Sequence, residues 1–134
     1  MIHIKAHAKL NLFLEVHGKR EDGFHNIETV MVPVSLHDTV SIRRNSRFVV
    51  EFEPPVVDSF SNTICSAYKI IKKIFRHAPA CYVRVKKKIP AGSGLGGGSS
   101  DAAAFIHGFF KLLRKPVDLA SLCRIGSEVG SDVN

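Results

Sequence analysis

Half of the chain's ten glycines fall in one short segment, within the stretch IPAGSGLGGGSSDAAAF at residues 89–105. Glycine has no Cβ, so consecutive glycines leave their main-chain N–H groups open to a ligand at hydrogen-bond distance. Ser99 and Ser100 are predicted to begin the next helix, and its unpaired amides and positive dipole end would face the same space. Phosphate is the anion that suits such a site. The stretch therefore predicts a phosphate-binding loop.

Two common phosphate-binding motifs do not fit this spacing. A P-loop needs a lysine directly after its second glycine, but Gly98 follows Gly97 here. A dinucleotide-binding fingerprint needs a surrounding βαβ unit and an acidic residue at the tip of a following strand about 20 positions later, and the sequence predicts neither. The remaining alternative is a merely flexible glycine–serine loop. Pro90 before the loop and an amphipathic helix after it argue against that alternative.

The chain carries a formal net charge of +7, from 19 Lys and Arg against 12 Asp and Glu. Such an excess favours polyanionic partners, which include nucleotides, nucleic acids and membrane phosphates. The densest basic segment is RVKKK at residues 84–88. It is predicted either as a solvated strand end that protects a sheet edge or as a group of cations, residues 86–88, that steers nucleotides toward the loop.

Length and composition predict one compact domain over residues 1–134, since 45% hydrophobic and 23% charged residues are typical of folded globular proteins.

The three cysteines are widely spaced and form no CxxC pair, which argues against a disulfide framework or a zinc site. They are predicted to be reduced core residues: Cys65, Cys81 and Cys123. The first 16 residues contain no uninterrupted apolar run. We therefore predict neither a signal peptide nor a membrane-spanning helix, and expect a cytoplasmic protein.

Period-two patterns predict strands at residues 2–16, 47–53 and 81–87. A longer extended run covers residues 27–43, and Pro33 with the polar SLHD cluster is predicted to split it into two strands. A turn-rich break at residues 17–26 separates the first strand from this run.

Apolar residues three or four apart predict three helices. The first is capped by Ser61 or Asn62 and ends near Ala78; the second begins at Ser99 and stops before Pro116. The third is capped by Asp118 and runs through Val129. The order of the elements predicts a single α+β domain in which helices are layered on a sheet.

Three separated segments resemble one known family. PAGSGLGGGSSDAAA, residues 90–104, is similar to the second signature of the GHMP kinases, which are named after galactose, homoserine, mevalonate and phosphomevalonate. AKLNLFLEV with GKREDGFHNIETV, in residues 8–30, and GSDV at residues 130–133 resemble one branch. That branch phosphorylates 4-diphosphocytidyl-2-C-methyl-D-erythritol in the non-mevalonate isoprenoid pathway. The likeness follows the family's order over essentially the whole chain.

The resemblance implies the family's two-layer first domain, a fold also found in a ribosomal protein, and an ATP-dependent transferase. It implies transfer of the γ-phosphoryl group of ATP to the substrate's 2-hydroxyl, with Mg²⁺ carried by the nucleotide. Such transfer needs an oriented hydroxyl, a proton acceptor and positive charge. The matching positions imply Asp132 as the base and Lys9 as its electrostatic partner. From the residues alone, an aspartate after Gly-Ser is typical of a turn, and a lone strand lysine is typically solvated.

The resemblance also implies binding residues. Asn62 would lie near the adenine, although it equally fits a helix cap. Asn11 shares a strand face with Lys9, and Phe24 and His25 match positions that stack on and hydrogen-bond cytosine; without the resemblance, His25 is typical of an exposed turn. No protein metal ligand is predicted. The residues implied for the ATP phosphates are Pro90, Ala91, Gly92, Ser93, Gly94, Leu95, Gly96, Gly97, Gly98, Ser99 and Ser100.

Four positions depart from the branch's usual pattern. His7 and Asn134 stand where proline is common, Phe24 where tyrosine is common, and Ser93 where glycine often occurs. The family's kinases continue into a second domain with another glycine-rich motif and part of the substrate walls. Without that C-terminal domain we expect an open cleft, so a truncated, inactive kinase remnant is one alternative function.

Two further alternatives come from other readings of the same residues. A basic nucleic-acid-binding module fits the net charge, but aromatic residues are not interleaved with basic ones along a strand, which argues against it. A GHMP kinase acting on homoserine or a mevalonate is the other, and the GKREDGFHN turn favours the cytidine branch instead. The expected partners are a small-molecule substrate and ATP, without a membrane; the oligomeric state is not predicted.

Overall fold

A four-stranded sheet and three helices form the protein. The computed structural model describes residues 1–21, 23–55, 62–114 and 116–133. This arrangement confirms the predicted α+β class, while the alternative cap Ser61 and the departure at Asn134 lie outside the described residues. The elements in chain order are β1 (Ile2–Lys19), β2 (His25–Arg44), β3 (Val49–Glu53), α1 (Thr63–Ile74), β4 (Cys81–Lys86), α2 (Gly97–Leu113) and α3 (Leu119–Val129).

The strands lie in the order β1-β2-β4-β3. β2 pairs antiparallel with both β1 and β4, whereas β3 and β4 are parallel. Parallel neighbours need a crossover connection, and α1 provides it. A βαβ unit therefore directly precedes the glycine loop, but no described strand follows α2, so the loop is not enclosed in a βαβ unit, as predicted.

β2 is a single strand, so the predicted break at Pro33 is wrong. Pro33 pairs with Lys9, and the register then shifts because residues 34–36 lie opposite Ala8 alone. β4 pairs with β2 only from Thr39 onward. Pro33 thus has a described neighbouring strand on one side only, where a residue without an N–H is tolerated. The chain accommodates the interruption as a bulge rather than as a strand end.

Several element ends also differ from the predictions. β1 continues to Lys19, β3 begins at Val49, and α1 ends at Ile74, before the predicted Ala78. α3 agrees with its prediction, because the Asp118 side chain caps it by accepting a hydrogen bond from the Ser121 N–H.

The core lies between the helices and the inner half of the sheet. Its largest fully buried side chains include Phe105, Phe109, Ile42, Ile64 and Ile71. α2 approaches β2 so closely that a Cβ on Gly108 would lie 2.6 Å from Ile42 Cδ1. This contact packs the middle of α2 directly against the sheet.

The cysteines differ in burial. Cys81 is buried, Cys65 is half-buried and Cys123 is exposed, so the prediction of a core position is wrong for Cys123. Burial raises the pKa of the Cys81 thiol to about 12.

Beyond Lys9, the β1–β2 hairpin is exposed on both faces. We call residues 10–19 and 25–32 the outer hairpin. Leu12 is 67% exposed and Val30 is 53% exposed. Apolar and polar residues nevertheless alternate there as they do in the buried inner half of the sheet. No helix in the described ranges is long and apolar enough to cross a membrane.

Candidate active site

The glycine loop alternates between left-handed glycines and other residues. Gly92, Gly94 and Gly96 have φ values of 70°, 75° and 70°, in a region that L side chains rarely adopt. α2 begins at Gly97, two residues before the predicted start, so the first-turn amides belong to Gly97, Gly98 and Ser99. Such amides have no partner within the helix. A cavity of about 350 Å³ lies against the loop.

The N-terminus of α1 faces the same cavity. Thr63 Oγ1 donates a hydrogen bond of 2.6 Å to the Gly98 carbonyl, and Asn62 Oδ1 caps α1 by accepting from the Cys65 N–H at 2.9 Å. Both residues line the cavity. Two positive helix ends therefore converge there, which favours an anion. The predicted cap at Asn62 is confirmed, whereas its contact with adenine stays a prediction.

Two loop serines donate their hydroxyl hydrogens to main-chain carbonyls. Ser93 Oγ donates to Pro90 O at 2.8 Å, and Ser100 Oγ donates to His7 O at 2.7 Å. The groups left to donate to a phosphate are mainly the loop amides. Ser100 has a second consequence, because it ties α2 to β1 at the bulge next to Lys9.

Lys9 joins the glycine loop to the end of the described chain. Its main-chain N–H donates to Leu95 O at 3.0 Å, and its Nζ lies 2.7 Å from Asp132 Oδ2. A Cβ on Gly96 would lie 2.9 Å from Lys9 Cε, so the loop packs directly on this side chain. The structure thus brings together the two predicted catalytic residues and the predicted phosphate loop.

A short turn after α3 positions Asp132. The Val133 N–H donates to Gly130 O at 3.1 Å, and the Val133 side chain is buried. On the other side of the pair, Lys9 Nζ lies 3.4 Å from Met31 Sδ. Asp132 is therefore fixed by a turn whose next residue is anchored in the core.

The three predicted substrate-binding residues are distributed along the hairpin. Asn11 Oδ1 lies 3.5 Å from the Thr29 hydroxyl, close to Lys9. Phe24 is 66% exposed, and His25 begins β2 opposite Lys19. Ten residues of strand at about 3.3 Å each would separate Lys9 from Lys19 by about 33 Å if the strand were straight.

The hairpin is not regular, because its register shifts between Asn11 and Phe13 and again between Val16 and Lys19. Such shifts bend and twist a hairpin. The described contacts do not bring Phe24 or His25 together with Lys9, so their cytosine-binding roles stay predictions.

Sequence reasoning missed a buried ionic cluster, which we call the buried triad: Asp38, Lys87 and Asp101. Lys87 Nζ lies 2.5 Å from Asp38 Oδ2 and 2.7 Å from Asp101 Oδ2, and both carboxylates are almost completely buried. Asp38 Oδ1 also accepts from the main-chain N–H groups of Lys88 and Ile89. The triad therefore connects the start of the glycine loop to the N-terminal part of α2.

The buried triad corrects the prediction for the RVKKK segment. Lys87 is neither a solvated strand end nor free to steer a nucleotide, because it is paired with two carboxylates. Arg84 is paired too, since its Nη2 lies 2.7 Å from Glu53 Oε2. The steering role stays a prediction for Lys86 and Lys88 alone. Its two ion pairs join residues 49 and 14 positions apart, so no local pattern signals the cluster.

Burial changes the protonation of the triad. It raises the pKa of the Asp101 carboxyl to about 7, although the neighbouring Lys87 acts in the opposite direction. Burial also lowers the pKa of Lys87, but the hydrogen bonds and charges of Asp101 and Asp38 outweigh it, so the net pKa of Lys87 is raised. Lys87 is therefore a firmly charged ammonium, and Asp101 is an acid that titrates near neutrality.

The GHMP kinases N terminal domain family matches residues 62–134, more than half of the chain. This chain belongs to the GHMP kinases. It is 40% identical over 134 residues to the 4-diphosphocytidyl-2-C-methyl-D-erythritol kinase of Acetivibrio thermocellus, a match that covers 98% of this chain and 47% of the relative. It is 41% identical over 130 residues to the protein of the same name from Pseudothermotoga lettingae, covering 96% and 46%.

Solved structures agree with the fold of this GHMP kinase chain. A crystal structure of 4-(cytidine 5'-diphospho)-2C-methyl-D-erythritol kinase matches with a TM-score of 0.79 and 32% identity, over 98% of this chain and 47% of that one. The mevalonate kinase of Methanococcus jannaschii matches with a TM-score of 0.73 at 13% identity, which concerns the fold alone. The chain spans about half the length of the curated relatives it matches. The resemblance found in the sequence is confirmed at the level of family and fold.

The loop of this GHMP kinase fits the triphosphate of ATP, because two helix N-termini and glycines in left-handed conformations line one cavity. Its Mg²⁺ stays a prediction. In the described part of the chain, one group of three side chains could hold a metal ion: Glu15, His17 and Glu28. All three are exposed on the outer hairpin, so we assign no protein ligand to a nucleotide-bound ion.

Proposed function

We propose that this chain binds ATP in the glycine loop and supports transfer of its γ-phosphoryl group to the 2-hydroxyl of 4-diphosphocytidyl-2-C-methyl-D-erythritol, in the cytoplasm. The names of the two relatives support this substrate. The observation that carries the proposal is the position of Lys9. One residue contacts the loop through its main chain and Asp132 through its ammonium.

Phosphate binding falls to the loop and to the two helix ends. The first-turn amides of α2 and the left-handed glycines leave N–H groups for phosphate oxygens, in a region of positive potential. ATP supplies the phosphoryl group when it is bound. The protein's contribution is to hold it in line with the hydroxyl, since phosphoryl transfer depends mainly on positioning and electrostatics.

Proton transfer falls to Asp132 and charge compensation to Lys9. In the proposed reaction the substrate hydroxyl gives its proton to the Asp132 carboxylate. The Lys9 ammonium, 2.7 Å from that carboxylate, offsets the negative charge that develops on the attacking oxygen. Both side chains are partly exposed, Lys9 at 22% and Asp132 at 48%, so a substrate can reach them.

A coupled assay of ADP release tests the proposal, with Mg²⁺, ATP and the cytidine diphosphate substrate. We compare the chain alone, the chain joined to the remaining half of a relative, and both with Asp132→Asn. The amide keeps the shape of the carboxylate but cannot accept the proton. We expect turnover to fall by about 10² to 10⁴ in the variant, whereas calorimetry should show nearly unchanged nucleotide binding.

Two outcomes would contradict the proposal. Turnover that is equal in Asp132→Asn and in the unaltered chain would remove the base assignment. An absence of nucleotide binding in both forms would remove the kinase function as a whole, and would favour the alternative of an inactive remnant. Filter binding of RNA beside ATP tests the nucleic-acid alternative, which the paired state of Arg84 and Lys87 disfavours.

A further inference from the structure

The buried triad contains two carboxyl groups but only one ammonium. Asp38 is fully buried and Asp101 is 2% exposed. If both carboxyl groups were ionised, the cluster would carry one uncompensated negative charge away from water. Such a charge is costly, and a buried acid commonly avoids the cost by keeping its proton. One of the two carboxyl groups is therefore expected to be neutral.

Hydrogen bonding decides which carboxyl keeps the proton. Asp38 accepts from three donors: the Lys87 ammonium and the main-chain N–H groups of Lys88 and Ile89. Asp101 accepts from Lys87 alone, through Oδ2, and its Oδ1 is buried without a partner in the described part of the chain. Donors stabilise the ionised form of an acid. Asp38 is thus the ionised member, and the proton belongs on Asp101 Oδ1.

Asp101 is placed where its charge affects the loop. It is the fifth residue of α2, directly after the first turn, and both Asp101 and Lys87 line the cavity against the loop. With Asp101 neutral, Lys87 and Asp38 cancel and the triad has no net charge. With Asp101 ionised, the triad becomes negative beside a site for phosphate. Neutral Asp101 therefore favours an anion in the loop, and ionised Asp101 opposes it.

We propose that nucleotide binding to the glycine loop takes up a proton at Asp101. The proton comes from solvent and adds to Oδ1, while Oδ2 keeps its hydrogen bond from Lys87; no other bond changes. Because the coupling is reciprocal, a bound nucleotide holds the proton on Asp101, and a proton on Asp101 tightens the nucleotide. This inference rests on the proposed function, since it takes a nucleotide as the anion.

Other charged groups near α2 do not provide this response. β1, β2, α1 and α3 pack against α2. From β2 and the end of β4, the facing groups are Asp38 and Lys87 themselves. From β1, Lys9 is paired with Asp132, and the His7 ring is hydrogen-bonded to the Val34 carbonyl. α1 lines the cavity with side chains that do not titrate: Asn62, Thr63 and Ile64.

Three further titratable groups lie elsewhere on these helices. On α3, Arg124 and Glu128 contact each other at the surface. His107 of α2 itself lines a different cavity. Within the described residues, Asp101 is therefore the group whose proton responds most directly to an anion in the loop.

The test is calorimetry of the 134-residue chain with the magnesium complex of a non-hydrolysable ATP analogue, in two buffers of different protonation enthalpy. Asp101→Asn is the matched variant, because the amide carbonyl can accept from Lys87 while its NH₂ replaces the protonated oxygen. At pH 8 we expect wild type to take up approaching one proton per nucleotide, and the variant none. Above pH 7 wild-type affinity should fall by up to about tenfold per pH unit relative to the variant. Taking the difference between the two proteins cancels the titration of the nucleotide itself.

A second measurement does not need a nucleotide. In the free protein, the carboxyl carbon resonance of Asp101 should titrate near neutrality. As a control, Asp118→Asn changes an exposed helix cap and should leave the calorimetric result unchanged.

Equal proton uptake in wild type and Asp101→Asn would overturn the proposal, and so would a titration of Asp101 near pH 4. If neither protein binds the nucleotide at pH 6 or pH 8, the proposed function fails and the proton uptake fails with it. If the Asp101 carboxyl nevertheless titrates near neutrality in that case, the protonation assignment is correct and only the assumed nucleotide ligand is wrong.

Discussion

Two lysine–carboxylate clusters flank the glycine loop, and their surroundings are opposite. Lys9 lies 2.7 Å from Asp132, with side chains that are 22% and 48% exposed. Lys87 lies 2.5 Å from Asp38 and 2.7 Å from Asp101, whose side chains are 0% and 3% exposed. The distances between nitrogen and oxygen atoms are nearly the same in the two clusters, but water screens only the first cluster.

The difference separates two functions of the same chemistry. An exposed ion pair contributes about 0–1 kcal/mol to stability. Lys9 and Asp132 can therefore separate and contact a substrate at little cost in stability. Removing one partner from a buried cluster costs about 3–5 kcal/mol, so Lys87 fixes the loop geometry instead. The exposed pair is suited to chemistry and the buried triad to positioning.

The largest expected effect is on turnover, from Lys9→Met. We expect the rate of phosphoryl transfer to fall by about 10² to 10⁴, because positive charge beside the attacking oxygen is lost. The free energy of unfolding should change by less than about 1 kcal/mol, since the pair is exposed. Lys5→Met, an exposed position on the same strand, is the control. Unchanged turnover in Lys9→Met would contradict the functional half of the comparison.

Lys87→Met, unlike Lys9→Met, should lower stability strongly. It leaves two buried carboxyl groups without an ammonium, so we expect the free energy of unfolding at pH 8 to fall by about 3–5 kcal/mol, measured by urea denaturation. The exposed neighbour Lys88 provides the control Lys88→Met. A loss that is equally small in both variants would mean that the triad does not hold the loop.

Stability should depend on pH through Asp101. Its pKa is about 7 in the folded protein against 3.8 ordinarily, so between these values the folded state holds more protons than the unfolded state. The free energy of unfolding therefore falls as pH rises from about 4 to about 7, by at most about 1.4 kcal/mol per pH unit, and is level above. Asp101→Asn should remove this slope. If the free energy of unfolding of the variant still falls over this pH range, other groups cause the dependence.

Gly96→Ala and Gly94→Ala form a matched pair. Both glycines are left-handed, so each alanine should cost about 1–2 kcal/mol of stability. Only at Gly96 does the new Cβ meet Lys9, at 2.9 Å from Cε, whereas nothing lies within 4 Å of a Cβ at Gly94. We expect Gly96→Ala alone to lower kcat by displacing the ammonium. Equal kcat in the two variants would show that the loop does not position Lys9.

The smallest effect is expected from Ser100→Ala, which removes the hydrogen bond to the His7 carbonyl. We expect a loss of about 1 kcal/mol in stability and a modest fall in kcat as the bulge beside Lys9 relaxes. Nucleotide affinity should hold, with Ser99→Ala as the control. A fall in affinity with constant kcat would favour the phosphate-binding role predicted from the sequence.

Much of the fold could be predicted because its signals are local. The cap at Asp118 and the cap at Asn62 depend on residues three positions away, and both are confirmed. The predicted break in β2 was wrong because Pro33 lies where β2 has a described neighbour on one side only, and strand pairing is not a local property. The start of α2 was misplaced because glycines have low helix propensity, yet here they form its first turn.

The candidate site divides in the same way. The glycine loop, Lys9 and Asp132 were predicted from their own segments and from their family resemblance. Thr63, the structural role of Ser100 and the buried triad were missed, because each depends on a contact between distant segments. Thr63 meets a residue 35 positions away, and Ser100 one 93 positions away.

The sequence by itself determined the α+β class, the loop that can accept phosphate and the membership of a kinase family, since glycine spacing, caps and periodicity act within a few residues. The tertiary structure decided which lysine is paired with buried carboxyl groups and which with an exposed one. Lys9 and Lys87 are alike as sequence features, and both follow an alternating strand pattern. They differ because the fold places Lys87 between two buried carboxyl groups and Lys9 beside an exposed one, and burial sets the cost of these charges.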